Sequence, residues 1–94
     1  MVTEKGLQEL VIRLLKNTLH HIENPYMIIG VSSNPSNREE RELYIEYLID
    51  LREWTNEKPN FWFCAWEEYT GYSKEKIQTT FQEKIDNKLK QLQK

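Results

Sequence analysis

Cysteine, glycine and long apolar runs are scarce in this 94-residue chain. Cys64 is the only cysteine, so an internal disulfide and a zinc site built from several thiolates are both excluded. The three glycines are scattered and do not form a glycine-rich phosphate loop. Apolar runs are only a few residues long, against the roughly 20 that span a bilayer, and the chain begins without a basic-then-apolar signal pattern. These absences predict a cytoplasmic protein with no membrane partner.

Motifs of known enzymes are also missing. The sequence contains no nucleophile elbow and no zinc-protease helix pattern, and its fifteen acidic residues make any single carboxylate pair uninformative. His20 and His21 are adjacent, so on a helix they point about 100° apart and do not chelate one metal ion from one face. We therefore predict a binding protein that is not an enzyme and has no cofactor, metal site or small-molecule substrate. Cys64, between two apolar neighbours, is interpreted as a small buried residue.

The composition is that of a globular domain, with 38% apolar residues, 30% charged residues and eleven aromatic residues. At this length we predict a single helical domain spanning residues 1–94, with a core small enough to benefit from dimerisation. The charge is uneven. Residues 1–72 have twelve acids and seven bases, a net charge of −5, whereas residues 73–94 have three acids and six bases, a net charge of +3. The C-terminal segment would attract an anion, and the rest of the chain a basic partner.

Apolar spacing predicts an all-α fold, a compact bundle of about four helices that ends in a helix-turn-helix-like pair. From Thr3 to about Glu23, apolar residues recur at three- and four-residue steps, which places them on one helical stripe. They are Leu7, Leu10, Val11, Leu14, Leu15, Leu19 and Ile22. Pro25 ends this helix, and the apolar run 26–31 is either a strand or a short helical piece, of which the helical piece is preferred.

A second long helix follows the polar loop 32–37, with Ser36 or Asn37 as its cap. It extends to about residue 57. Its inward-facing residues are predicted to be Leu43, Tyr44, Tyr47, Leu48, Leu51 and Trp54, with Ile45 and Ile49 widening the buried face. A third helix begins near Asn60 and includes the aromatic residues of segment 61–69.

The segment from Trp66 to Phe81 contains a helix, a short turn with Gly71, and a second helix capped by Ser73. This is the outline of a helix-turn-helix unit, in which glycine lets the chain turn sharply. The apolar side of the second helix is Ile77, Phe81, Ile85, Leu89 and Leu92. Gly71, Tyr72, Ser73 and Ile77 stand in the register of the motif, and over about twenty residues the chain resembles the helix-turn-helix of bacterial and phage transcription regulators, including the lactose-repressor family. Glu67 stands where those regulators have alanine, and Thr80 where they have a branched apolar residue.

This resemblance implies a sequence-specific DNA-binding protein, a transcriptional or replication regulator of a phage or other mobile element that acts on double-stranded DNA as a homodimer. The helix that begins near Ser73 would read the DNA. The residues implied for base or phosphate contact are Ser73, Lys74, Glu75, Gln78 and Thr79, and Lys76, Lys84 and Lys88 would add attraction to phosphates. An ordinary helical hairpin, in which Gly71 ends one helix and Ser73 caps the next, is the alternative interpretation.

The aromatic residues lead to a second hypothesis. Phe61, Trp62 and Phe63 are consecutive and cannot all face one way on a helix, so at least one is exposed or covers a partner. The candidate partner contacts are Trp62, Trp66, Tyr69 and Tyr72, since Trp and Tyr often anchor interfaces. Packing within the core is the alternative. Together with the acidic residues 1–72, these aromatics are typical of an anti-CRISPR protein, an inhibitor of a host enzyme or a bacteriocin immunity protein that binds a basic target.

Overall fold

The computed structural model describes residues 4–93, which form five α-helices and no strand. The helices are α1 (Glu4–Glu23), α2 (Tyr26–Ile29), α3 (Arg38–Thr55), α4 (Phe61–Thr70) and α5 (Lys74–Leu92). The predicted all-α class is confirmed. The structure has one helix more than the four predicted, namely the one-turn α2, which lies in the apolar run 26–31 whose periodicity does not distinguish a strand from a helical piece. Thr3, where the first helix is predicted to begin, lies outside the described residues. Within residues 4–93, no helix is both long enough and apolar enough to cross a bilayer.

Local hydrogen bonds explain where the helices begin and end. Asn37, Asn60 and Ser73 cap α3, α4 and α5, and each side chain accepts a hydrogen bond of 2.8 to 3.2 Å from a backbone N–H three residues later. Each cap satisfies a donor that the first turn leaves unpaired and contributes about 1 kcal/mol. Gly30 and Gly71 follow the last residues of α2 and α4 in the left-handed conformation, with φ of +71° and +81°, which residues with a Cβ rarely adopt.

Helix α5 lies at the centre of the bundle. It packs against α1, α3 and α4, whereas α1 and α3 make no extensive contact with each other. The buried face of α5 is formed by Ile77, Phe81 and Ile85, at four-residue steps, as its apolar spacing predicts. The core that these residues share with the other segments also contains Val11, Leu15, Ile22, Val31, Tyr44, Leu48, Phe63, Trp66 and Leu92. Burying side chains of this size contributes about 1.5–3 kcal/mol each.

The buried faces of α1 and α3 are narrower than the apolar spacing predicts. On α1, Leu7, Leu10 and Leu14 remain 39 to 49% exposed. On α3, Leu43 and Ile49 are exposed, although the spacing predicts that both face inward. The reason is the flat shape of the bundle, which measures 45 × 27 × 16 Å and has a radius of gyration of 14.7 Å, against about 12 Å for a typical compact domain of this length. The shortest dimension holds two layers of helices at about 8–10 Å spacing, so each helix has one face towards solvent.

Candidate functional site

The α4–α5 pair has the chain path of a helix-turn-helix. Helix α4 ends at Thr70, Gly71 turns the chain, and Ser73 caps α5. Glu67, where the resembling regulators have alanine, directs its carboxylate to the start of α5 and accepts a hydrogen bond of 2.7 Å from the backbone N–H of Lys74. The partial positive charge of a helix N-terminus stabilises a carboxylate in that position. Glu67 is therefore accommodated in the turn by the helix backbone.

The first turns of α5 expose five of the residues implied for DNA contact, namely Ser73, Lys74, Glu75, Lys76 and Thr79. The ammonium of Lys76 lies 5.0 Å from the centroid of the Tyr72 ring. The Thr79 hydroxyl donates to the Glu75 carbonyl at 2.9 Å. Two lysines and the carboxylates of Glu67 and Glu75 leave the start of α5 close to electrically neutral. A neutral surface attracts phosphates only weakly, because their attraction depends on the number of positive charges.

The three remaining candidates for DNA contact are engaged within the bundle. The amide of Gln78 donates to a carbonyl at the end of α3 at 2.7 Å, and the ammonium of Lys84 lies 3.4 Å from a carboxylate oxygen of Glu23. Lys88 is only 8% exposed and donates to the carbonyl of Ser33 at 2.7 Å. Attraction of DNA phosphates by Lys88 stays a prediction, and its burial disfavours it, because packing of α5 among its neighbours encloses this part of the helix.

The aromatic candidates divide between the core and the surface. Trp66 is 2% exposed and stacks on Phe81, with ring centroids 5.6 Å apart. The prediction that Trp66 contacts a partner is thereby limited to the small exposed part of its ring, because most of the ring fills the core between α4 and α5. Tyr69 is partly buried against that core, whereas Trp62 and Tyr72 are 49% and 57% exposed. Of the four aromatic candidates, Trp62 and Tyr72 are thus the most exposed.

An apolar groove of about 210 Å³ lies between α1, α3 and α4. It is lined by Leu14, Thr18, Leu51, Trp54, Trp62 and Trp66. We call it the tryptophan groove. Trp66, which is buried, lies at the floor of the groove, and Trp62, which is half-exposed, lies at its rim. The groove exists because α1 and α3 both pack on α5 without closing against each other.

Sequence reasoning does not find this groove, because it assigns Leu7, Leu10 and Leu14 to the buried stripe of α1. These three leucines are separated by three and four residues and so lie on one side of the helix. Their side differs from that of Val11 and Leu15, which are buried. The apolar surface of α1 is therefore wider than one packing partner covers. That width is the signal in the sequence that points to a second apolar contact.

Three exposed carboxylates lie on α3, the helix that contributes Leu51 and Trp54 to the tryptophan groove. Glu46, Asp50 and Glu53 are exposed at three- and four-residue steps, and Asp50 lies one turn before Trp54. Within residues 4–93, no basic side chain lies within 4.0 Å of any of these three carboxylates. Unneutralised negative charge on a helix that lines an apolar groove favours a positively charged partner.

The described residues contain no cluster of three or more His, Cys, Asp or Glu side chains placed to bind a metal ion. Burial, with Tyr47 and Glu23 nearby, raises the pKa of Tyr44 far above its ordinary value, and burial also raises the pKa of Tyr47. The Tyr44 hydroxyl donates to the carbonyl of Ile22 inside the core. Tyr44 therefore has a structural role, as a link between α1 and α3.

Cys64 is exposed, which corrects the prediction of a buried thiol. Phe63 and Trp66, three residues apart, form the buried face of α4. Cys64 follows Phe63 by one position, which rotates it about 100° away from that face. Its side chain lines a cavity of about 560 Å³ together with Lys74, at the start of α5.

Comparison of the chain with protein-family models, with curated proteins and with solved structures finds no match. Two surfaces of the molecule, the start of α5 and the tryptophan groove, are the candidates for binding a macromolecule.

Proposed function

We propose that this protein is a protein-binding module, and that its tryptophan groove holds a basic amphipathic helix of a partner protein. The observation that carries the proposal is that Trp62 and Leu14, both partly exposed, line one apolar groove. Soluble proteins seldom leave contiguous apolar surface uncovered unless it binds something. Trp is also the residue that most often dominates the free energy of protein interfaces.

The shape of the surface suits a helix. Leu7, Leu10 and Leu14 extend for about two helical turns, or roughly 10 Å, along α1. An incoming helix places apolar side chains at steps of three and four residues, so it can follow this row and insert one of them beside Trp62. An extended strand would instead require an exposed sheet edge, and residues 4–93 form no sheet.

The negative charge of α3 selects the partner. Asp50 lies one turn before Trp54 of the groove lining, and Glu46 and Glu53 are exposed on the same helix. A helix with Lys or Arg flanking its apolar face would place positive charges towards these carboxylates. Basic helices of this kind are common in proteins that handle nucleic acids. We therefore propose that the biological role is inhibition or protection of such a protein, as the second sequence-based hypothesis expects.

A pair of synthetic helical peptides of about 18 residues, long enough for five turns, tests the proposal. One has a leucine face flanked by lysines, and the other has the same leucines flanked by glutamates. We expect fluorescence anisotropy to show saturable binding of the lysine peptide alone. Trp62→Ala should weaken that binding roughly tenfold or more, as truncation of an interface tryptophan does. Phe61→Ala is the matched control, because Phe61 is 78% exposed and does not line the groove.

Charge-reversal variants test the selection of a basic partner. Asp50→Lys should weaken binding of the lysine peptide, whereas Glu9→Lys, an equal change of net charge at an exposed position of α1 outside the groove lining, should not. Equal binding of the two peptides, or unchanged affinity in Trp62→Ala, would refute the proposal. Sedimentation equilibrium shows whether a second copy of the chain occupies the groove instead.

A second candidate function, binding of double-stranded DNA by a homodimer through α5, is favoured by the exposed Lys74, Lys76 and Thr79 that follow the left-handed Gly71. In this case the double variant Lys74→Ala/Lys76→Ala should bind duplex DNA of every sequence more weakly. The slope of log affinity against log salt concentration should also become less steep by about 2. Lys90→Ala, at an exposed position near the end of α5, is the matched control. Absence of duplex binding at low salt eliminates this candidate.

A further inference from the structure

A polar cavity of about 370 Å³ lies where the end of α1, the loop before α3 and the second half of α5 meet. All eight of its lining residues are polar, and none of them lines the tryptophan groove. The volume is at the lower end of the range of small-molecule sites, about 300–1,000 Å³. A polar cavity of this size can hold a small polar molecule.

The feature that defines the chemistry of this cavity is the buried ammonium of Lys88. Its Nζ donates to the Ser33 carbonyl at 2.7 Å and approaches the side-chain oxygen of Gln91 at 3.4 Å. The Tyr44 ring centroid lies 5.5 Å away. Within residues 4–93, no carboxylate lies within 4.0 Å of this ammonium. A buried charge is stable when it is paired, and all the contacts just named are to neutral groups.

A second ammonium, that of Lys84, lines the same cavity. Its ion pair with Glu23 is long, at 3.4 Å, and both side chains are partly exposed. Lys84 and Lys88 with Glu23 give the cavity a net charge of +1, and the amides of Asn87 and Gln91 add neutral hydrogen-bond donors. The cavity therefore combines excess positive charge with donors and has a single acidic side chain.

We infer that this cavity binds the phosphate group of a small phosphate monoester, with Lys88 and Lys84 as its charged contacts. A phosphate monoester has three terminal oxygens and up to two negative charges, so it can accept from both ammoniums and an amide at once. A carboxylate has two oxygens and one charge, and would satisfy fewer of these donors. The remaining volume accommodates the small polar alcohol to which the phosphate is attached.

Calorimetric or NMR titration at constant ionic strength tests the inference with glycerol 3-phosphate and inorganic phosphate as probes. Glycerol is the control without the anion, and sodium chloride is the control for general screening. We expect saturable binding of glycerol 3-phosphate, weaker binding of inorganic phosphate and none of glycerol. Lys88→Met should weaken phosphate binding about tenfold or more, because it removes a charge-assisted hydrogen bond. Lys90→Met, two positions along α5 and exposed, should change it less than about twofold.

A second variant keeps the test decisive if Lys88→Met does not fold. Asn87 is exposed and lines the cavity, so Asn87→Asp should preserve the fold. Its added carboxylate repels a bound phosphate, and we expect the phosphate signal to be lost. Failure of both phosphate probes to bind saturably, or undiminished binding in Asn87→Asp, overturns the inference. Trp62→Ala should leave phosphate binding unchanged, which separates this site from the proposed protein-binding groove.

Discussion

The Glu67 carboxylate accepts a hydrogen bond of 2.7 Å from the backbone N–H of Lys74, so α5 has two side-chain caps, one from Ser73 and one from the preceding helix. Glu67 thereby also connects α4 to α5 across the turn. In the motif that this segment resembles, alanine at this position allows close helix contact. In this protein the Glu67 carboxylate instead accepts a hydrogen bond from the backbone N–H of Lys74, a donor that the first turn of α5 would leave unpaired.

We predict that Glu67→Ala, which restores the alanine of the resembling regulators, lowers the free energy of unfolding by about 1 kcal/mol, because it removes a cap and a favourable charge at a helix N-terminus. Urea denaturation measures this change. Glu68→Ala is the matched control, because Glu68 is exposed and next in sequence. An equal effect of the two substitutions would show that the hydrogen bond to Lys74 does not stabilise the fold.

A second prediction concerns the buried link between Tyr44 and Ile22. Tyr44→Phe keeps the ring but removes the donor, which leaves a buried carbonyl without this partner. We expect the free energy of unfolding to fall by about 1–3 kcal/mol. Tyr26→Phe, at a 66% exposed position, should have no measurable effect. Thermal or urea unfolding of both variants distinguishes the loss of this hydrogen bond from a general effect of losing a hydroxyl group.

A third prediction concerns alkaline pH. Burial raises the pKa of Tyr44 and Tyr47 in the folded protein, whereas a phenol in the unfolded chain has a pKa of about 10. The unfolded chain therefore releases these protons first. Below about pH 10 the two neutral phenols make their full contribution to the free energy of unfolding. That contribution is lost as the pH rises from about 10 through the pKa values of the folded protein.

Unfolding measured by circular dichroism at a series of pH values tests this direction. We expect the free energy of unfolding to decline above about pH 10, and to decline less steeply in Tyr44→Phe, which removes one of the two groups. Tyrosinate absorbance provides a second readout, in which the variant should lack the step at highest pH. Identical alkaline profiles of the two proteins would contradict the assignment to Tyr44.

A fourth prediction uses the exposed thiol of Cys64, which lines the same cavity as Lys74 and Glu75. We expect the folded protein to react with one equivalent of a maleimide without prior unfolding, because an exposed thiol is accessible. A bulky maleimide at this position should obstruct DNA binding by the start of α5 but leave the tryptophan groove open. Binding of the lysine peptide should therefore survive labelling. Loss of peptide binding would place the peptide elsewhere than in the groove.

Local sequence is sufficient to predict most of the helix boundaries. The cap at Ser73 and the left-handed turn at Gly71 are predictable, and the cap of α3 is narrowed to Ser36 or Asn37, because each depends on groups within a few residues of one another. The periodicity of α5 likewise identifies Ile77, Phe81 and Ile85 as one face. For the apolar run 26–31 the same reasoning leaves two conformations open, because a few residues do not define a period.

The candidate sites are less predictable, because they depend on contacts between distant segments. Trp62 and Trp66 are equivalent candidates by residue type, yet one lies at the rim of a groove and the other in the core. Lys88 lies on the buried stripe of α5, three residues after Ile85 and four before Leu92. The helix periodicity does not identify its partner, because the ammonium donates to the carbonyl of Ser33, 55 positions earlier.

The sequence by itself determined that this protein is helical, roughly where α3, α4 and α5 begin, and that segment 66–81 turns at Gly71, since these features depend on periodicity and on capping between near neighbours. Only the tertiary structure decided which apolar residues are covered. Periodicity fixes the direction in which a side chain points from its helix, whereas burial depends on which other helix lies in that direction. The position of α5 between α1 and α3 thus closes the core around Phe81, buries Lys88 and leaves Leu14 and Trp62 partly exposed in one groove.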